Sequence, residues 1–161
     1  MEEVMVFTID WALRNKFKLI QTHRYNGFLY HTFEKDLSKD CKNYVLIVLN
    51  DSQTEVASLF TYDYLKSINA YITDVSVKKS YRRLGIASKM FDIIFCLIGN
   101  KNYQLQCETD TIDGVTYEQR MLFYNKLGFV DNTSEDIKAY KIRIGGCIPM
   151  IKEKIEKINI L

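Results

Sequence analysis

The sequence of 161 residues is poor in proline and histidine, with one proline (Pro149) and two histidines (His23 and His31). Its four cysteines stand well apart and form no CxxC pair. Zinc sites need closely spaced cysteine and histidine ligands, so the sequence predicts no metal site. We expect all four cysteines to be reduced thiols that mostly serve packing.

An excess of charge and a long apolar run are also lacking. The formal net charge is +2, which gives no support to a nucleic-acid partner, because such proteins carry a strong basic excess. No apolar run is long enough to span a membrane, and the first residues, MEEVMVFTID, do not resemble a secretory signal. We therefore expect a cytoplasmic protein with no membrane partner.

Apolar spacing predicts one domain of α/β (α+β) class, with a mixed, mostly antiparallel sheet and helices on both faces. Strands are predicted at residues 4–9, 44–50, 55–62, 68–77, 103–108 and 139–144. Leu13, Phe17 and Ile20 indicate a first helix, and Leu29, Phe33 and Leu37 a second. Further helices are predicted at residues 87–98 and 116–127. The predicted order is β-α-α-β-β-β-α-β-α-β-β.

The last residues form a predicted extension. Ile151, Ile155 and Ile158 recur at i, i+4 and i+7, which is typical of an amphipathic helix. We expect a main domain at residues 1–146 and an extension at residues 147–161 packed on it. A contact in a homodimer and a wall of an acceptor pocket are the alternatives.

The stretch YRRLGIASKM, residues 81–90, joins a predicted strand to a predicted helix. The first turn of a helix leaves main-chain N–H groups unpaired and carries partial positive charge, which favours anions such as phosphate. Arg82 and Arg83 add guanidinium donors, and Gly85 and Ala87 keep the backbone accessible. The pattern favours a diphosphate site, the alternative being solvated arginines beside an ordinary helix start.

Two motifs in this sequence resemble those of the GNAT superfamily of N-acetyltransferases. RRLGIA matches the signature [QR]-x-x-G-x-[GA] at Arg82, Gly85 and Ala87. LFYNKLGFV, residues 122–130, is similar to the family's FYxKxGF motif. The resemblance implies the fold predicted above and acetyl-CoA as cosubstrate, with no metal.

The resemblance also implies site residues. The main chain at Val75 and Val77 would pair with the pantetheine arm of acetyl-CoA. Tyr124 would protonate the departing thiolate. The remaining implied cofactor contacts lie in the strand-to-helix junction, residues 81–90, and in the second motif. They are Arg82, Arg83, Gly85, Ile86, Ala87, Ser88 and Lys126.

The acceptor amine must lose a proton, and Asp74 is the predicted base. Strand alternation places Asp74 on the opposite face from Val75. Glu108 is the other candidate, and a solvated or paired carboxylate is the alternative for both. Many family members carry asparagine where this sequence has Tyr117, which puts one contact of the cofactor or of a water in doubt.

The resulting interpretation is an acetyl-CoA-dependent N-acetyltransferase acting on a primary amine of a small molecule or a protein. Two alternatives stay open: a regulatory module that binds acetyl-CoA without turnover, and an acyltransferase that uses a longer acyl-CoA.

Overall fold

The computed structural model describes residues 5–132 and 147–156. The helices within these residues are α1 (Ile9–Arg14), the short 3₁₀ turn Lys79–Tyr81, α2 (Ile86–Ile98) and α3 (Tyr117–Lys126). The strands are β1 (Lys18–Tyr25), β2 (Phe28–Ser38), β3 (Cys41–Leu49), β4 (Glu55–Tyr64), β5 (Asn69–Val77), β6 (Asn102–Glu108), β7 (Val130–Asp131) and β8 (Cys147–Lys152). None of the described helices is long and apolar enough to cross a membrane.

The described residues divide into two compact units. The first unit takes in the residues up to Ser67 and Ile72–Gly99, and the second takes in Ile68–Tyr71 and the residues from Asn100 onward. Strand β5 therefore begins in the second unit and ends in the first. The mixed, mostly antiparallel α/β class predicted from the sequence is confirmed.

In the first unit the strands lie in chain order from β1 to β5. Strands β1 to β4 pair antiparallel, and Val45 of β3 lies opposite Phe33 of β2 and Phe60 of β4. These side chains form a core cluster with Ala12 of α1 and with Phe17. The aromatic rings of Phe7 and Phe60 stack at 5.1 Å between centroids.

Helices pack on both faces of this part of the sheet. Leu29 of β2 packs with the α1 cluster, whereas the neighbouring Phe28 contacts Tyr81, in the segment that leads into α2. Successive strand residues point to opposite faces, so these two contacts lie on different sides. Helix α2 contacts β4 and buries one face, made of Ile86, Met90, Phe91, Ile93 and Ile94.

In the second unit the strand order is β5, β6, β8, β7. The start of β5 pairs parallel with β6 at three positions, Asn69–Tyr71 against Asn102–Gln104. Strand β8 lies between β6 and β7 and pairs antiparallel with both. Helix α3 contacts β6.

The predicted element order is wrong in the first third of the chain. The strand predicted at residues 4–9 is not formed from Met5 onward, because Thr8 caps α1 and its side chain accepts from the Trp11 N–H at 3.0 Å. The first helix stops at Arg14, and Lys16 has a left-handed φ of 65°. Phe17 is buried, whereas Leu13 is exposed, so the two do not share one buried helical face.

The second predicted helix, through Leu29, Phe33 and Leu37, is strand β2. A spacing of four residues also repeats on one face of a strand, where the period is two. Asn26 and Gly27 both have positive φ and join β1 to β2 with Tyr25 opposite Phe28. Asn-Gly is a strong signal for such a two-residue hairpin, and its positive φ values favour a pair of strands over the predicted helix.

The predicted C-terminal helix is also wrong where the structure describes it. Ile151 lies in strand β8, and Ile155 lies in no regular element. Ile158 and the strand predicted at residues 139–144 lie outside the described residues. The division at residue 146 stays a prediction. The remaining predicted strands and helices, from residue 44 to residue 127, are confirmed with small changes of boundary.

Candidate functional site

Strand β5 carries the main-chain positions expected to contact the pantetheine arm. Its parallel ladder with β6 accounts for Asn69–Tyr71, yet β5 continues to Val77. Just past its end, the Lys78 N–H donates to the Val56 carbonyl oxygen of β4 at 2.9 Å. Val75 and Val77 are half-buried in this continuation. The end of the ladder leaves the Ile72–Val77 main chain with no parallel strand pairing in the described residues.

Asp74 lies on the same stretch of β5. Its side chain is half-buried, and burial raises the pKa of the carboxyl group above its ordinary value. The adjacent Thr73 donates its hydroxyl to the Phe60 carbonyl oxygen at 3.5 Å. A carboxyl group with a raised pKa takes up a proton more readily than an ordinary carboxylate, which suits a base.

Arg82 is fixed at the end of β5. Its Nε–H donates to the Val77 carbonyl oxygen at 3.0 Å. Arg83 is exposed, has a left-handed φ of 64°, and makes no hydrogen bond or ion pair within the described residues. The two arginines therefore differ, since Arg82 ties the loop to the strand and Arg83 presents its charge to solvent.

Gly85 is the N-cap of α2, with φ 79° and ψ 9°. Its carbonyl oxygen accepts from the Lys89 N–H at 3.0 Å, but it has no side chain to cap the helix. The first turn contains no acidic residue. The N–H groups of the first turn of α2 thus have no capping side chain, and they carry the positive end of the helix dipole.

A Cβ added at Gly85 would meet no protein atom within 4 Å, so the space beside the helix start is open. Ile86 is buried and anchors the turn, whereas Ser88 is exposed and Ala87 half-buried. Open space, unpaired donors and nearby arginines fit an anionic group such as a diphosphate.

The tip of the β1–β2 hairpin also reaches the start of α2. Lys89 Nζ lies 4.5 Å from the ring centroid of Tyr25, and the rings of Phe28 and Tyr81 lie 6.0 Å apart. Asn50 Nδ2 donates to the Tyr81 hydroxyl at 2.9 Å. Sequence reasoning missed these residues. No motif or local spacing links Tyr25 to Lys89, although Asn-Gly is a general signal from which the hairpin turn itself could have been predicted.

In the second unit, Tyr124 lies on α3. Its half-buried ring contacts Phe123 at 5.4 Å and Phe129 at 6.0 Å between centroids. The Tyr124 carbonyl oxygen accepts from the Phe129 N–H at 3.0 Å. The FYxKxGF stretch therefore forms the end of α3 and its turn, with Lys126 exposed at the last helical position.

Two further candidates lie near the start of α3. Tyr117 is its first residue, and burial raises the pKa of the phenol, with a smaller contribution from Asp131. Glu108 is exposed at the end of β6. Arg120 Nη1 donates to the carbonyl oxygens of Glu108 at 3.2 Å and Asp110 at 2.6 Å, which fixes the loop after β6.

The predicted site residues thus fall into two groups. Asp74, Val75, Val77 and the junction residues 82–88 belong to the first unit, and Tyr124 and Lys126 belong to the second. Within the described residues, no group of three His, Cys, Asp or Glu side chains could hold a metal ion.

Comparison with known proteins identifies the family. The profile of the acetyltransferase (GNAT) domain matches residues 42–131. A GNAT-family acetyltransferase from Staphylococcus aureus superposes with a TM-score of 0.54 at 16% identity, over 71% of this chain and 69% of the other. An acetyltransferase from Bacillus cereus gives a TM-score of 0.52 at 17% identity, over 74% and 77%.

A third solved structure contains a ligand. The PaiA N-acetyltransferase from Thermoplasma acidophilum, in complex with coenzyme A, gives a TM-score of 0.52 at 14% identity, over 70% of this chain and 61% of the other. No curated protein matches the sequence. At these identities the structural likenesses establish the fold, and the profile match establishes the family.

Proposed function

Because the chain belongs to the GNAT family of acetyltransferases, we propose that it transfers the acetyl group of acetyl-CoA to a primary amine by direct attack. The observation that carries this proposal is the start of α2, where an open, left-handed Gly85 caps the helix without a side chain. The four cysteines are free thiols, which supports a reducing compartment such as the cytoplasm.

In this proposal the diphosphate of acetyl-CoA lies at the start of α2. The N–H groups of Ile86, Ala87 and Ser88 donate to its oxygens, and Arg83 adds an exposed guanidinium. Arg82 holds the loop against Val77, which keeps these donors in place before the ligand arrives. Preorganised donors lose little conformational freedom on binding.

The pantetheine arm then follows β5. On the side away from β4, the Ile72–Val77 main chain has no parallel strand pairing in the described residues, so the N–H and C=O groups on that side can pair with the amide groups of the arm. One such N–H group would donate to the thioester oxygen and stabilise the negative charge that develops there.

The transfer step needs three proton movements. Asp74 takes a proton from the ammonium form of the acceptor and later releases it to solvent, and the amine nitrogen forms a bond to the acetyl carbon. The carbon–sulfur bond breaks, the electron pair goes to sulfur, and Tyr124 donates its phenolic proton to the thiolate. The nitrogen, positively charged after the attack, loses its second proton to water, which returns a proton to Tyr124 and leaves the neutral amide.

The experiment that tests the proposal is calorimetry of the purified protein with acetyl-CoA, followed by thiol release across a panel of amines. A Gly85→Glu variant places bulk and negative charge at the helix start. We expect it to weaken acetyl-CoA binding by about a hundredfold or more.

Gly114→Glu is the matched control, because Gly114 also has a left-handed φ (78°) and open space at its Cβ. It imposes a similar backbone strain and the same charge in a different loop. Equal losses in both variants, or full affinity in Gly85→Glu, would contradict the placement of the diphosphate. Binding without thiol release from any amine would favour a regulatory module over an enzyme.

A further inference from the structure

The tip of the β1–β2 hairpin places aromatic side chains beside a cation of α2. Tyr25 and Phe28 are paired across the turn, and both lie against residues of the junction. Lys89 Nζ lies over the Tyr25 ring at 4.5 Å, a distance at which a cation and an aromatic face attract each other. Tyr81 is held between the Phe28 ring and the Asn50 amide.

The charge in this part of the chain is of one sign. Residues 11–33 contain no Asp or Glu but carry four cations, Arg14, Lys16, Lys18 and Arg24, and both histidines. Asp92 lies three positions after Lys89 on α2, yet it forms no ion pair with it within the described residues. The ammonium group of Lys89 is therefore available to an anion.

Lys89 is also well placed relative to the start of α2. It lies four residues after Gly85, and its N–H closes the first turn on the Gly85 carbonyl oxygen. Side chains of a helix lean toward its N-terminus, so the ammonium group is directed toward the same end as the unpaired N–H groups. A ligand whose diphosphate lies there presents its next anionic group within the same region.

In coenzyme A that next group is the 3′-phosphate of the adenosine. We propose that Lys89, oriented by Tyr25, binds the 3′-phosphate of the cosubstrate. This inference rests on the proposed function, because it assumes that acetyl-CoA docks at the start of α2. Lys89 is the binding residue, and Tyr25 is a positioning residue that limits the rotamers of Lys89.

The hairpin lies outside the part of the chain that matches the family profile, which begins at residue 42. The Tyr25 contact is therefore supplied by a segment that lies outside the profile match.

The test compares coenzyme A with dephospho-coenzyme A, which lacks only the 3′-phosphate, by calorimetry. We expect the wild-type protein to bind coenzyme A about tenfold more tightly, as one charge-assisted hydrogen-bond group implies. In Lys89→Gln the two affinities should become equal through loss of coenzyme A affinity alone. Lys89→Arg should keep the preference, and Tyr25→Leu should reduce it to about threefold.

Lys39→Gln is the control, since it removes the same charge from the exposed turn between β2 and β3. An unchanged preference in Lys89→Gln, an equal loss for both ligands, or no preference in the wild type would overturn the inference. Each of these results would leave binding of coenzyme A, and hence the proposed function, intact. Absence of binding to either ligand would instead refute the proposed function.

Discussion

Arg82 has two tasks at once, which makes it a poor residue for testing the cofactor site. Its Nε–H donates to the Val77 carbonyl oxygen, so substitution by a neutral residue would release the loop as well as remove a charge. Arg83 and Gly85 do not have this second task. At the scale of single residues, substitution of Gly85 tests where the diphosphate docks, whereas substitutions of Tyr124 and Asp74 test the proton transfers.

Tyr124→Phe should lower kcat while leaving the affinity for acetyl-CoA nearly unchanged. A positioned general acid contributes about a hundredfold or more to the rate, and only the hydroxyl is removed. The half-buried ring keeps its contacts with Phe123 and Phe129, so folding should be unaffected. Steady-state kinetics with a saturating amine would measure the change.

The matched control for this variant is Tyr71→Phe, which removes a hydroxyl from an exposed tyrosine on β5. Its kcat should equal that of the wild type. An unchanged kcat in Tyr124→Phe would remove Tyr124 from the role of acid, and a loss of binding alone would reassign it to the cofactor site.

Asp74→Asn should stabilise the protein near neutral pH and reduce its activity. Burial raises the pKa of Asp74 in the folded state, so the folded protein holds this proton more tightly than the unfolded chain. Ionisation therefore opposes folding, and its cost appears as the pH rises above the unfolded value of about 3.9. Asparagine removes that cost but cannot accept the proton.

Urea denaturation at two pH values measures this effect. The free energy of unfolding of Asp74→Asn should exceed that of the wild type near neutral pH, and the difference should shrink below about pH 4. The kcat/KM of the wild type should also fall on the acid side at a pH above the ordinary carboxyl range. A destabilised variant at neutral pH would show that the ionised carboxylate is favourably paired.

Local sequence was sufficient to predict the strand-to-helix junction, but it was insufficient to predict the contact that Lys89 makes. Gly85, Arg82 and Ala87 are close in the chain, so their arrangement follows from one turn and one helix start. The contact between Tyr25 and Lys89 joins positions far apart in sequence, and only the packing of the hairpin against α2 brings them together.

At the scale of elements, α3 is stabilised at its start by a capping box. The Gln119 N–H donates to Thr116 Oγ1 at 3.2 Å, and the Thr116 N–H donates to Gln119 Oε1 at 2.9 Å. Such reciprocal bonds satisfy two main-chain donors that the helix leaves unpaired. The cap therefore supports the helix that carries Tyr124.

Thr116→Ala should lower the free energy of unfolding by about 1 kcal/mol, since alanine cannot accept the Gln119 N–H. Thermal unfolding followed by circular dichroism would measure the loss. Thr111→Ala, in the exposed loop before α3, makes the same chemical change away from a helix start and should be neutral. Equal stability of the two variants would contradict the role of the cap.

The elements that were predicted wrongly share a physical cause. Leu29, Phe33 and Leu37 are four residues apart, and this spacing fits one face of a helix and one face of a strand. Turn chemistry decided between them, because Asn26 and Gly27 adopt the positive φ values of a tight hairpin. Regions with a clear period of two, such as β5, and regions with caps, such as α3, were predicted correctly.

For the whole molecule, the predictable part is the part that the family profile covers, residues 42–131. It contains both motifs, and its strands and helices agree with those predicted except for the two-residue strand β7, which was not predicted. The preceding residues form a helix and a hairpin in place of the predicted strand and two helices. Neither part contains a motif that indicates which acceptor amine is used.

Strand β8 has a consequence for how this chain is made. It is the last described element to leave the ribosome, yet it lies between β6 and β7 and pairs with both. During synthesis one edge of β6 therefore stays unpaired, and open to other nascent chains, until residues 147–152 emerge. Premature termination before Cys147 would leave that edge permanently uncovered, and such products are expected to be targets for chaperones and proteases.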